Sequence, residues 1–230
     1  MNASSSVLHR AGVVCLLLVV AILWATTSAS AGTITGSTGA VGPGLGTVAV
    51  PAIITVVANN DDVPAPGVID NNIFVPIKRF DFTGYIDIEF AVAPSGGVTE
   101  YQVFESVDNN TGTNWVGYNM FLGTGVGALF VPSPAGDGLD FDAPLFTTAP
   151  VSSVMLPPVL GEDALLWSGG VHGSGAESYQ FRVDVPDGVL PPLGFSGFTL
   201  RQVPVFVPEP STIALVGLVL ISMTAIRRRG

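Results

Sequence analysis

The sequence predicts an all-β fold, a β-sandwich of which the jelly roll is one form, between an N-terminal export segment and a short C-terminal apolar helix. Three observations predict it. Tyr85 to Phe90 alternates, with Ile86, Ile88 and Phe90 on one face and Asp87 and Glu89 on the other. Tyr179 to Val185 does the same, with Tyr179, Phe181, Val183 and Val185 inward; this period of two suits a half-buried strand. Between the candidate strands lie turn-forming runs, PSGG, DNNTG and PSPAGDG, rich in residues that reverse a chain. No segment between the two ends sustains a helical period.

In chain order, residues 1–31 read as a secretory signal peptide. MNASSSVLHR carries Arg10, AGVVCLLLVVAILWA is apolar, and TTSASAG brings the small residues Ala29 and Ala31 to a cleavage site before Gly32. The alternative is an uncleaved N-terminal anchor. Residues 32–72 open with the flexible stretch GTITGSTGAVGPGLG, continue with one or two strands in TVAVPAIITVV, and turn at NNDDVPAPG.

Residues 73–202 form the sandwich. Ile73–Val75, Thr99–Val107, Trp115–Leu122, Ala164–Ser168 and Phe198–Val203 join the two alternating runs. About eight or nine short strands result, a number that suits a sandwich. Residues 203–207 read as a stalk to the C-terminal segment 208–230.

Composition narrows the function classes. The net charge is -10, and between Gly32 and Val207 the cations are Lys78, Arg79, Arg182 and Arg201 alone. A polyanion needs a basic patch to neutralise its phosphates, so nucleic-acid binding is excluded. Cys15 is the sole cysteine and lies in the first apolar run, which leaves the exported part without disulfides or thiolate metal sites.

The C-terminal run VPEPSTIALVGLVLISMTAIRRRG has three parts. Pro208, Glu209 and Pro210 resist helix, since proline lacks an N–H and restricts its predecessor. Thr212 to Ile226 is an uncharged, mostly apolar stretch read as a transmembrane helix. At about 1.5 Å per residue it spans roughly 23 Å, short of the roughly 30 Å hydrocarbon core. Arg227, Arg228 and Arg229 prefer the cytoplasmic side and stop transfer. A short helix suits a temporary hold, and an extended Pro-Glu-Pro offers a peptidase a non-helical strand beside the bilayer; the alternative is a permanent tail anchor.

In combination these residues closely resemble the PEP-CTERM sorting signal of Gram-negative and related envelope bacteria. The resemblance implies recognition and processing by exosortase, an inner-membrane cysteine-dependent transpeptidase-like enzyme, and a setting of exopolysaccharide systems. TEYQVFESVDNNTGTNWVGYNMFLGTG, with GLDFDAP and FTLRQVPVFVPEPS, also resembles ectodomains found upstream of such signals. That second resemblance covers roughly Phe74 to Gln202 and implies a shared fold without an activity.

Candidate sites are few. Asp137, Asp140 and Asp142 crowd one loop and could offer hard oxygen ligands to Ca²⁺, although their spacing is not that of an EF-hand and solvated acidic loops are commoner. Glu100, Glu105 and Asp108 could supply an acid–base pair, yet exposed strand-face acids explain them as well. His172 sits in GGVHGSG beside Ser174, without the nucleophile elbow of a hydrolase, and reads as a surface loop residue. Trp115, Tyr118 and Trp167 could stack on sugar rings, but core packing is the commoner fate. No catalytic motif stands out.

The expectation is a non-enzymatic envelope or extracellular-matrix protein, with exosortase, the membrane and extracellular polysaccharide as partners and no cofactor. The alternatives are a secreted polysaccharide-acting enzyme and a calcium-dependent adhesin.

Overall fold

The computed structural model describes residues 32–60, 71–141, 151–187 and 197–207. Thirteen strands occur among them: β1 (Gly32–Val41), β2 (Leu45–Val48), β3 (Ala52–Ile54), β4 (Asn71–Phe80), β5 (Ile86–Pro94), β6 (Val98–Asn109), β7 (Trp115–Thr124), β8 (Val131–Pro132), β9 (Val151–Ser152), β10 (Leu156–Leu160), β11 (Ala164–Ser168), β12 (Gly175–Pro186) and β13 (Gly197–Phe206). One 3-10 turn, Gly127–Leu129, is the sole helical element among the described residues, and none of their helices is long and apolar enough to cross a membrane.

Two sheets pack face to face as a β-sandwich. One runs β1-β5-β13-β7-β11-β10, with β8 on β7; the other runs β2-β4-β6-β12-β9, with β3 on β4. All pairings are antiparallel except β4 with β6. Strands β4 to β7 alternate between the sheets, so each inward-facing set meets the next across the core.

The alternation seen in the sequence sorts side chains as expected. Ile86, Ile88 and Phe90 of β5 and Tyr179, Phe181, Val183 and Val185 of β12 are all buried. Phe90 stacks on Phe198 at 5.1 Å, and Phe141 meets Phe181 edge-on at 5.6 Å. Burying each such ring contributes about 1.5–3 kcal/mol, which lets the domain stand without disulfides.

Two expectations are corrected. The Gly/Ser/Thr stretch from Gly32 is not loose but forms β1, an edge strand paired with β5 from Gly32↔Pro94 to Val41↔Asp87. Threonine anchors it, Thr38 Oγ1 donating to Glu89 Oε2 at 2.6 Å, and Ile34 N donates to Tyr101 Oη at 2.9 Å. Register shifts at Ile34/Gly36 and Ser37/Gly39 bend the strand, and Gly39 takes φ 113°, a conformation that favours glycine. The glycines that suggest flexibility thus serve an irregular edge, which also discourages pairing with other chains.

The expected stalk at 203–207 is mostly strand as well. β13 runs through Phe206 and pairs with β7 as far as Trp115. Its pairing with β5 ends at Gln202, so Pro204 falls where the strand has one open side and a missing N–H need cost no ladder bond.

Strand β4 carries the irregularity that matters most. Asn71, Ile73 and Val75 are buried, Pro76 and Ile77 are both exposed, and Lys78 and Phe80 are buried. Val75 pairs with Glu105 but Lys78 pairs with Val107, so β4 holds one extra residue there. A bulge of this kind re-aims every later side chain; here it turns Lys78 from the outer face to the core.

Candidate functional site

The bulge places Lys78 opposite the inward positions of three other strands. Glu105 lies at an inward position of β6 between Val103 and Val107, Tyr118 on β7, and Gln202 on β13. Lys78, Tyr118 and Gln202 are completely buried and Glu105 nearly so. Lys78 Nζ donates to Glu105 Oε2 at 2.6 Å and also contacts Gln202 Oε1. Tyr118 Oη donates to the same Gln202 Oε1 at 2.9 Å, and Gln202 Nε2 donates to Glu105 Oε1 at 2.7 Å. The network ties the two sheets together through the core.

Its surroundings are aromatic. Phe80 lies 6.1 Å from Tyr118 and Trp115 5.7 Å from it, while Lys78 Nζ sits 5.7 Å from the Tyr118 ring centroid. Desolvation disfavours the ammonium form and pushes Lys78 down to about 8, against the pull of Glu105. Burial likewise raises Tyr118 well above the usual phenol value, with Glu105 adding to it.

The other cations of the domain are also engaged. Arg182 pairs with Glu100 beside a cavity of about 10 Å³ lined by Asn60, Asn71, Glu100, Gln102 and Arg182. Arg201 forks onto the buried Asp87 with two bonds of 2.7 Å and donates to Gly127 O at 2.6 Å. Its guanidinium lies 4.0 Å from the ring centroids of both Tyr85 and Phe130. Arg79 reaches Asp81 at 2.7 Å and Asp108 at 3.8 Å.

The acids singled out in the sequence are therefore not exposed strand-face groups, as expected, apart from Asp108, which stays partly exposed. Glu100 and Glu105 are buried in ion pairs. Five residues apart on one strand, they occupy opposite faces of β6 and do not converge as an acid–base pair.

His172 also departs from expectation, because it is completely buried. Its backbone exchanges two 3.0 Å bonds with Trp115, and its ring lies 4.5 Å from that indole. Nε2 is 3.1 Å from Gly175 O and Nδ1 is 3.0 Å from Tyr179 Oη. A carbonyl can only accept, so Nε2 carries the proton and Nδ1 accepts from the tyrosine. Desolvation lowers its pKa, which keeps the ring neutral.

Trp115, Tyr118 and Trp167 pack in the core. In the acidic loop, Asp137 accepts from Ser133 Oγ at 2.6 Å and from Leu139 N at 2.9 Å. Asp140 forms a backbone bridge with Asp184, and Leu139 and Phe141 are buried, so the loop is pinned to the sandwich. Asp163, close to Asp137 and Glu162, is raised to about 6, chiefly by desolvation. No group of three metal-ligating side chains occurs among the described residues, and Asp142 lies outside them.

Ala29, Ala31, the helix at 212–226, Pro208, Glu209, Pro210, Arg227, Arg228 and Arg229 lie outside the described residues as well. Sequence reasoning missed the partnership of Lys78, Gln202 and Tyr118. Its available signal was the failed alternation at Pro76-Ile77 beside the chain's single lysine.

No curated protein and no solved structure matches the chain. A family model of the PEP-CTERM protein-sorting motif matches residues 206–229, which takes in the Pro-Glu-Pro, the apolar stretch and the arginines. The described sandwich ends where that motif begins, β13 closing at Phe206. The chain thus joins a β-sandwich to a PEP-CTERM protein-sorting motif, which supports sorting by exosortase to the cell surface.

Proposed function

We propose that the protein is a non-enzymatic, structural or binding component of the cell surface, its sandwich standing in extracellular polysaccharide. The observation that carries the reading is how the polar side chains are spent. Glu100, Glu105 and His172, which the sequence offered for chemistry, are buried against Arg182, Lys78 and Tyr179. Glu105 and His172 contribute to holding the two sheets together and Glu100 to joining β6 with β12 within one of them, which supports a structural use of these groups.

Contact with the matrix falls to the outer faces. Phe74 of β4 is partly exposed and stacks on Phe104 of β6 with centroids 5.1 Å apart. Aromatic faces of this kind suit the apolar surfaces of sugar rings, and an acidic, sparsely charged domain suits weak, reversible association.

The test pairs two assays on the polysaccharide of the native host. Retention of the protein on that polysaccharide, reduced several-fold in Phe74→Ala, without release of reducing ends, is the expected result. Release of reducing ends by wild-type protein would establish an enzyme instead.

A further inference from the structure

Lys78 is the chain's only lysine, and it is spent at the centre of the core. An ion pair would account for Lys78 beside Glu105. It does not account for the third member. The amine touches the carboxamide oxygen of Gln202, and the same carboxylate holds the amine through Oε2 at 2.6 Å and the amide nitrogen through Oε1 at 2.7 Å. The carbonyl oxygen takes a further donor from Tyr118 Oη at 2.9 Å. Nucleophile, acyl group, proton carrier and carbonyl donor are thus assembled in a water-excluded site.

We propose that Lys78 and Gln202 are joined by an intramolecular isopeptide bond that the folded domain forms by itself, with Glu105 carrying protons and Tyr118 holding the carbonyl oxygen. In the low-dielectric core the ammonium passes a proton to the Glu105 carboxylate, leaving a neutral amine; burial favours this form. The Nζ lone pair attacks Cδ of Gln202, forming the N–C bond and placing negative charge on Oε1, beside the Tyr118 hydroxyl. Glu105 gives its proton to Nε2, the Cδ–Nε2 bond breaks, and ammonia leaves. Nζ surrenders one of its two remaining protons to Glu105, which later loses it with the ammonia as ammonium. No oxidant or cofactor enters. Holding the groups in contact supplies the large effective concentration that amide exchange needs.

The bond would join β4 in one sheet to β13 in the other. β13 is the strand from which the chain passes to the sorting motif, so force applied there would reach the second sheet through a covalent tie. The only cysteine lies in the export segment, and such a tie would do for the exported domain what a disulfide does elsewhere. It stands independently of any binding or catalytic role.

The experiment is peptide mapping by mass spectrometry on the full chain expressed in its native host, so that trimming at either end does not affect the reading. The expected result is a branched peptide joining Lys78 to Gln202, lighter by one ammonia than its two linear parts together. Folded wild-type protein giving only separate linear peptides would overturn the bond. In Glu105→Gln, with its fold checked by circular dichroism, the peptides should stay separate; a branched peptide there at wild-type yield would overturn the role of Glu105. Tyr118→Phe keeps the ring and removes one donor, so freshly made protein should hold both forms, the branched one accumulating over time. Formation as fast as in wild type would overturn the role of Tyr118.

Discussion

His172 illustrates how a single ring couples the core to pH. Held neutral between Gly175 O and Tyr179 Oη, it has a folded pKa lowered by burial from its ordinary 6.5. Between the lowered value and 6.5 the unfolded chain binds a proton that the folded chain refuses. This contribution to stability is therefore complete above 6.5 and is lost as pH falls through it. The stability that wild type gains from His172 should shrink as pH falls from neutral to below 6.5, while Asp163, raised to about 6, contributes in the opposite direction. His172→Gln should lose roughly 1–3 kcal/mol of stability at neutral pH with the buried hydrogen bond between His172 and Tyr179, but its stability should vary less with pH. Parallel slopes would contradict the account. The residue's role was hidden in the sequence because its glycine-rich neighbours signal a loop, and nothing local shows that the loop folds under Trp115.

Among the elements, β4 makes the sharpest demand on its sequence. The extra residue at Pro76-Ile77 lets Asn71, Ile73 and Val75 share the interior with Lys78 and Phe80. Ile77 is 53% exposed, so Ile77→Thr should change stability by no more than about 0.5 kcal/mol. Deleting Ile77 removes the extra residue and leaves Val75, Lys78 and Phe80 on the inward face of a regular strand. Urea melts should show both variants folded, the substitution near wild type; a deletion that unfolds the domain would contradict the bulge.

Where alternation is unbroken the sequence is readable, as in β5 and β12, whose inward residues are those that period two selects. Irregularity is what concealed the rest. The bulges of β1 made a strand look like a flexible lead, Pro204 made the end of β13 look like a stalk, and the β4 bulge broke the alternation that would have carried the strand on from Val75 to Lys78. The Lys78–Glu105–Gln202–Tyr118 cluster draws on four strands spread over 125 residues, a convergence that only sheet order creates. The sorting motif, by contrast, is contiguous and was legible in full.

At the scale of the whole molecule, residues 206–229 decide the destination and the sandwich decides what arrives there. Recognition through Pro208, Glu209 and Pro210 predicts that Glu209→Ala with Pro210→Ala leaves unprocessed precursor in the membrane fraction, detected with an antibody to the sandwich. Normal processing of that double variant would contradict the role given to the motif.

Export followed by sorting is read most directly from the intact mass of the protein taken from its native host. Export and sorting together predict a species lacking the residues before about Gly32 and those after the Pro-Glu-Pro, with any excess over that peptide mass reporting an attached group. A mass that retains Arg227 to Gly230 would contradict sorting, and would make the C-terminal segment a permanent anchor.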